Sequence, residues 1–142
     1  MSSTAPVAAS APTLSLSGRA QIDVCALGPL RITSALYKAG LLKKDGKPGK
    51  VIIITSQAGS CEWRFTQNPT PKPGDEFHGN YGHHMSRAAC NMGAVLLAQE
   101  LKAAGVPVLI LHPGFNKTGM TAKYSHIWEV EGAVDQAVGA KR

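Results

Sequence analysis

An α/β fold with parallel strands is what this 142-residue chain predicts, and three stretches predict it. Residues 81–104 carry apolar or small side chains at Met85, Ala88, Ala89, Met92, Val95, Leu96 and Ala103, near the spacing that gives a helix one buried face, with Asn91, Gln99, Glu100 and Lys102 opposite. Gly105 follows, where a left-handed helix end favours a residue without a Cβ, and Val106-Pro107-Val108-Leu109-Ile110-Leu111 is a short run without charge, as in a buried parallel strand. A second such run, Val51-Ile52-Ile53-Ile54-Thr55, stands upstream of the helix, so strand, loop, helix and strand form a crossover unit that should be right-handed. Both strands then end on one edge, where ligands sit in open α/β sheets.

Taken in order, residues 1–18 are Ser, Ala, Pro and Thr with a few Leu and Val and no acid, a composition that predicts disorder. From Ala20 to about Ala39, Ile22, Cys25, Pro29, Ile32 and Leu36 recur at helical spacing and predict one amphipathic helix with a kink at Pro29. The stretch from Lys43 to Lys50 reads as a polar turn punctuated by Gly and Pro. Ser56-Gln57-Ala58-Gly59-Ser60 leaves the first strand on the same edge as His112-Pro113-Gly114 leaves the second. A Ser in such a place serves either as a turn or cap residue or as a functional hydroxyl. Residues 61–80 read as a long loop whose Trp63, Phe65 and Phe77 either cover a pocket or pin the loop to the body, and residues 123–142 as a helix followed by a tail.

Composition narrows the function classes. The net charge of +6 is moderate and scattered, with no aromatic-studded basic motif, which argues against nucleic acid as a partner. Cys25, Cys61 and Cys90 are odd in number and never spaced Cys-x-x-Cys, the pattern of reduced thiols in a cytoplasmic compartment. Transit peptides share the low acid content of residues 1–18, but Arg19 is the only base there, so organellar import stays the alternative to a cytoplasmic location. No apolar run approaches a membrane span or a secretory leader. His78, His83 and His84 lack a ligand spacing, so no metal site is expected.

The residues Met85-Ser86-Arg87-Ala88-Ala89-Cys90-Asn91-Met92, then His112-Pro113-Gly114 and Thr118, resemble the second half of a short-chain dehydrogenase/reductase over roughly residues 20–122. Asp23-Val24-Cys25-Ala26-Leu27-Gly28-Pro29-Leu30 is similar to that family's Asn-Ala-Leu-Gly-Pro-Leu helix, and Ser56-Gln57-Ala58-Gly59 to its strand-terminal Ser-x-x-Gly. The resemblance implies an incomplete Rossmann-like, doubly wound parallel sheet, with about two strands and two main helices present over residues 19–122. It implies an NAD(P)-dependent oxidoreductase of carbonyls or secondary alcohols, or a fragment of one. In this frame Ser56 orients the substrate carbonyl, His83 stands at the catalytic Tyr position and Arg87 at the Lys position. Arg87 would hold the nicotinamide ribose, and Pro113, Gly114 and Thr118 the carboxamide. Cys25 takes the place of an Asn that holds a relay water, but reads first as a small core residue on the helix's buried face. The resemblance also implies a homo-oligomer paired through helices 20–39 and 82–104, burying Pro29, Leu36, Met92 and Leu96.

His83 and Arg87, four residues apart, share a helix face. A His begins near pKa 6.5 and can act as general acid or base unaided, whereas Arg gives up no proton at working pH. Tyr81 replaces the missing Tyr only if the helix begins after it, because two residues swing a side chain roughly 200° round the axis. His84 reads as a surface residue. No Gly-x-x-x-Gly-x-Gly follows a strand, so the expectation for NADP or NAD is weak binding or none. The competing expectation is a catalytically inactive homologue whose two helices form an interaction surface.

Overall fold

The computed structural model describes residues 16–67 and 80–141. Most of the segment 1–18, and Phe77 and His78 of the expected loop, lie outside the described residues, but a helix already begins at Leu16. Helix α1 (Leu16–Ile22) runs into a π-helical turn, Asp23–Leu27, and then into α2 (Gly28–Lys38). The single kinked helix is therefore corrected to two helices joined by a π turn. Pro29, lacking an N–H, sits in the first turn of α2, where no intrahelical donor is needed. Gly28 N–H bonds back to the Asp23 carbonyl, the wider i→i−5 closure of a π turn.

The expected polar turn is a small hairpin of β1 (Lys43–Lys44) and β2 (Lys47–Pro48), closed by Asp45 at φ 51° and Gly46 at φ 74°. Two central residues with positive φ are the hallmark of the tight hairpin turn that Asp-Gly favours. Strand β3 (Val51–Ile54) pairs in parallel with β4 (Val108–Leu111), Val51 opposite Val108 and Ile54 opposite Leu111. Thr55 N–H donates to the Leu111 carbonyl at 2.8 Å, so both strands end side by side, as the sequence predicts. Residues 61–67 form α3 (Cys61–Gln67) rather than loop; Ser60 Oγ accepts from Trp63 N–H at 3.1 Å and caps it.

The crossover helix α4 (Tyr81–Leu101) continues through a 3₁₀ turn, Lys102–Ala104, to Gly105 at φ 69°, the expected left-handed end. Its buried face needs correction. Ser86, Cys90, Ala94, Leu97 and Leu101 face inward, one position round from the predicted stripe, while Met85, Met92, Val95 and Leu96 are exposed. The helix is apolar on both sides, so periodicity alone cannot choose between them; the small residues Ser86, Cys90 and Ala94 let neighbouring backbone approach. The same holds upstream, where Ala26 and Thr33 are buried while Ile32 and Leu36 are exposed.

Ile53, Leu42, Cys90, Ala94, Leu97, Leu101 and Val106 make the core, edged by Leu30, Val51, Ala104 and Val108. Among the described residues the strands are covered on this face only. Ile52, Ile54, Leu109 and Leu111, which alternate to the other face, are exposed, so the expectation of strands buried on both sides is corrected. Past β4, β5 (Asn116–Lys117) pairs in parallel with β6 (Val134–Asp135), flanking a 3₁₀ stretch, Gly119–Ile127, and leading into a short α5 (Gln136–Gly139). That replaces the helix and tail expected over 123–142. Among the described residues no helix is long and apolar enough to cross a membrane.

Candidate active site at the carboxyl edge of the strands

Ser56 caps the 3₁₀ turn Gln57–Gly59: its Oγ accepts from Ala58 N–H at 3.1 Å. Capping uses one lone pair and leaves the hydroxyl proton free to donate, so the turn role and a role toward a carbonyl are compatible. Three ties fix this turn against α4. Thr55 Oγ1 donates to Asn91 Oδ1 at 2.6 Å, with Thr55 itself buried. Gly59 lies so close to α4 that a Cβ there would stand 2.6 Å from the Arg87 carbonyl carbon. His84, half-buried, is engaged by the Ala58 backbone.

The helix begins at Tyr81, so Tyr81 sits in its first turn and cannot reach the position of His83. The His83 carbonyl accepts from the fully buried Ser86 hydroxyl at 2.8 Å. The His83 and His84 rings meet edge to face with centroids 5.4 Å apart, so His84 is not the outward surface residue predicted for it. Burial lowers the His83 pKa below 6.5, and the positive charges of Arg87, Arg64 and Lys123 lower it further. His84 is lowered too, chiefly by burial and then by Arg64 and His83, with the Ala58 backbone pulling the other way. Both imidazoles are thus neutral at pH 7.

Arg87 Nη2 donates to Cys25 Sγ at 3.4 Å, while its buried Nε has no hydrogen-bond partner. Cys25 is half-buried and free, so it is a ligand to the guanidinium rather than merely a core residue. The π turn carries Cys25 to this place, and such turns recur at functional sites. Beyond β4, Gly114 has φ 79° and Asn116 Nδ2 donates to the Pro113 carbonyl at 2.9 Å, which folds the loop on itself. Thr118 heads the 3₁₀ stretch in a capping box with Thr121. The turn that Ser56 caps is therefore seated on α4 at Arg87, Ala88 and Asn91, with His83 one turn earlier on the same helix, and Pro113, Gly114 and Thr118 lie on the loop leaving the neighbouring strand. Sequence reasoning missed the charges of Arg64 and Lys123 that act on His83 and the hydrogen bond of Asn91 to Thr55; the Ser60 cap that starts α3 was the one local signal for the helix that carries Arg64.

Known proteins resemble this chain in sequence and in fold. The chain is 36% identical over 107 residues to 1-hydroxy-2-glutathionyl-2-methyl-3-butene dehydrogenase of Rhodococcus sp. strain AD45, covering 75% of this chain and 40% of that protein. It is 35% identical over 95 residues to C-signal of Myxococcus xanthus, covering 67% of this chain and 49% of that one. Both relatives are short-chain dehydrogenases/reductases. Over the matched residues the chain belongs to that family. It spans less than half the length of either curated relative. No family model matches. Among solved structures, the carbonyl reductase Sniffer of D. melanogaster superposes with a TM-score of 0.62 at 18% identity, over 98% of this chain and 52% of that one. An NADPH-bound carbonyl reductase from chicken fatty liver does so at 0.55 and 25% identity, over 82% of this chain and 46% of that one. The fold is thus part of a Rossmann-like sheet.

Proposed function

We propose that this chain carries the substrate-side half of an NAD(P)-dependent oxidoreductase acting on a carbonyl or secondary alcohol. The observation that supports the reading is the seating of the Ser56 turn on α4 at Arg87, Ala88 and Asn91, one turn from His83, through the Thr55–Asn91 hydrogen bond and the Gly59 contact. Ser56 donates its free proton to the substrate oxygen. His83, neutral at pH 7, accepts a proton as an alcohol is oxidised and returns it during reduction. Because its pKa is lowered, oxidation is the direction its resting state favours. Arg87 keeps its charge throughout and, after burial, favours the neutral form of His83.

The nicotinamide cofactor, when bound, supplies the hydride acceptor or donor. The buried and unpartnered Arg87 Nε is a donor fitted to a ribose hydroxyl. Pro113 and Gly114 border the same edge, whereas the Thr118 hydroxyl is already engaged with Thr121. Among the described residues no Gly-rich turn at a helix N-terminus cradles a pyrophosphate, so the reading includes weak cofactor affinity for this chain alone. The exposed Leu36, Met92, Val95 and Leu96 support pairing of two copies through α2 and α4.

The test follows NADPH oxidation with a panel of ketones and aldehydes, and NADP reduction with secondary alcohols, at millimolar cofactor. Slow turnover that Ser56→Ala and His83→Phe each reduce at least tenfold is the expected result. Turnover unaffected by either substitution, or none at any cofactor concentration, would overturn the proposal.

A further inference from the structure

Opposite the carboxyl edge of the strands, the amino edge gathers lysines. Helix α2 finishes at Lys38, the β1–β2 hairpin carries Lys43, Lys44 and Lys47, Lys50 leads into β3, and Lys102 lies in the 3₁₀ turn that follows α4. Contacts join these pieces. Leu42, at the base of the hairpin, shares the core with Leu101 and Val106, and its carbonyl accepts from Gly49 N–H at 2.7 Å. Pro48, opposite Lys43 in the ladder, abuts the end of the helix: a Cβ on Gly105 would stand 3.9 Å from Pro48 Cγ, and Gly105 N–H donates to the Lys102 carbonyl at 3.0 Å. Lys38, Lys43, Lys47, Lys50 and Lys102 are all exposed. The ion pairs among the described residues, Arg31 with Asp23 and Lys117 with Glu129, involve none of them, and the acids along the same stretches are Asp45 and Glu100. Neighbouring strands lie about 4.8 Å apart, inside the Debye length of about 8 Å at physiological salt, so the fields of the hairpin lysines add. Apolar side chains stand among these charges. Leu41 is 68% exposed between Lys38 and Lys43, and Tyr37 is exposed beside Lys38. Cations around an exposed leucine match the headgroup boundary of an anionic bilayer, where lysines meet the lipid anions and the leucine enters the acyl margin. A nucleic-acid backbone would engage the cations alone.

We infer that the amino edge of the strands is a docking surface for an anionic lipid bilayer, held by Lys43, Lys47, Lys50 and Lys102 with Leu41 inserted. The chain lies on the membrane by this end and does not span it. Helix α4, 21 residues and about 30 Å long, runs from the candidate site to this end, so a docked molecule keeps its carboxyl edge on the far side, facing water. The inference is independent of the oxidoreductase reading.

The test is co-sedimentation of the full chain with vesicles of phosphatidylcholine alone and of phosphatidylcholine with about 30% phosphatidylserine. Binding is expected to the mixed vesicles only. It should weaken at least tenfold as salt rises from about 0.1 to 1 M and the Debye length falls from about 10 to 3 Å. Lys43→Glu with Lys47→Glu should weaken it at least tenfold. Arg19→Glu with Lys141→Glu makes the same change in net charge at the other end, where Gly18 packs on Gly82 at the start of α4 and α5 sits by Asn116, and should weaken it less than twofold. Leu41→Ser, which leaves the charge unchanged, should weaken it about threefold. Equal binding to neutral vesicles, equal losses in the two double variants, or full binding by Leu41→Ser would overturn the inference. So would tighter binding to a DNA duplex through the same lysines, which would assign the surface to nucleic acid.

Discussion

Replacing Gly59 by alanine tests the seating of the strand-end turn on α4. The added Cβ would lie 2.6 Å from the Arg87 carbonyl carbon and 2.7 Å from both the Arg87 oxygen and the Ala88 nitrogen. All three are backbone atoms within a long helix, so no rotamer change relieves the clash. Reaching an ordinary carbon contact of about 3.5 Å requires turn and helix to part by about 1 Å. Overpacking of this kind costs about 1–3 kcal/mol. The same parting stretches the 2.6 Å Thr55–Asn91 hydrogen bond beyond bonding distance, at about 0.5–1.5 kcal/mol more. A loss of about 2–4 kcal/mol should lower the urea midpoint by about 1–2 M. Gly119→Ala is the control, since a Cβ there meets nothing within 4 Å. For any turnover the chain shows, a displacement of about 1 Å between Ser56 and His83 should cost on the order of a hundredfold. Equal urea midpoints for Gly59→Ala and Gly119→Ala would refute the close seating.

Leu97, 7% exposed within the core, should lose about 2–5 kcal/mol as Leu97→Ala, measured by denaturant unfolding. His83 and His84 have lowered pKa values in the folded chain, so the unfolded chain binds protons first. Their contribution to stability is therefore complete above pH 6.5 and declines as pH falls below it; His83→Gln with His84→Gln should flatten stability between pH 7 and 5.5. If two copies pair through α2 and α4, Met92→Lys with Leu96→Lys should leave a monomer by light scattering at a concentration where the parent chain is dimeric.

What the sequence made legible was what local chemistry decides. Gly105 terminates the helix because no Cβ opposes φ 69°, and the β-branched run Val51–Ile54 pairs in parallel with Val108–Leu111. The buried side of α4 was not legible, because both Ser86-Cys90-Ala94 and Met85-Met92-Leu96 satisfy helical periodicity. What decides is the close approach of neighbouring backbone, which small residues permit and which appears nowhere in a linear pattern. The site divided likewise. The elements that carry Ser56, His83 and Arg87, a strand end and one helix face, could be read from their offsets. The reach of the Arg64 and Lys123 charges to His83 could not be placed in this way, since it depends on how α3 and the Gly119–Ile127 stretch fold back.

The positions at which this chain departs from its family's pattern form one connected group. Arg87 touches Cys25 across the helices, and its charge acts on His83 one turn earlier. An Arg cannot relay a proton, so a route from the α4 turn through residue 87 toward the π turn is closed here. His83, with its lowered pKa, needs no such relay: it can exchange its proton with solvent near neutrality, whereas a phenol of pKa about 10 depends on a neighbouring cation to do so. On the proposed reading the change at residue 83 makes the change at 87 tolerable, while burial first and the Arg87 charge next hold the His83 pKa down. On that reading the contact with Cys25 orients the guanidinium rather than passing a proton, and the three departures are parts of one altered acid-base arrangement.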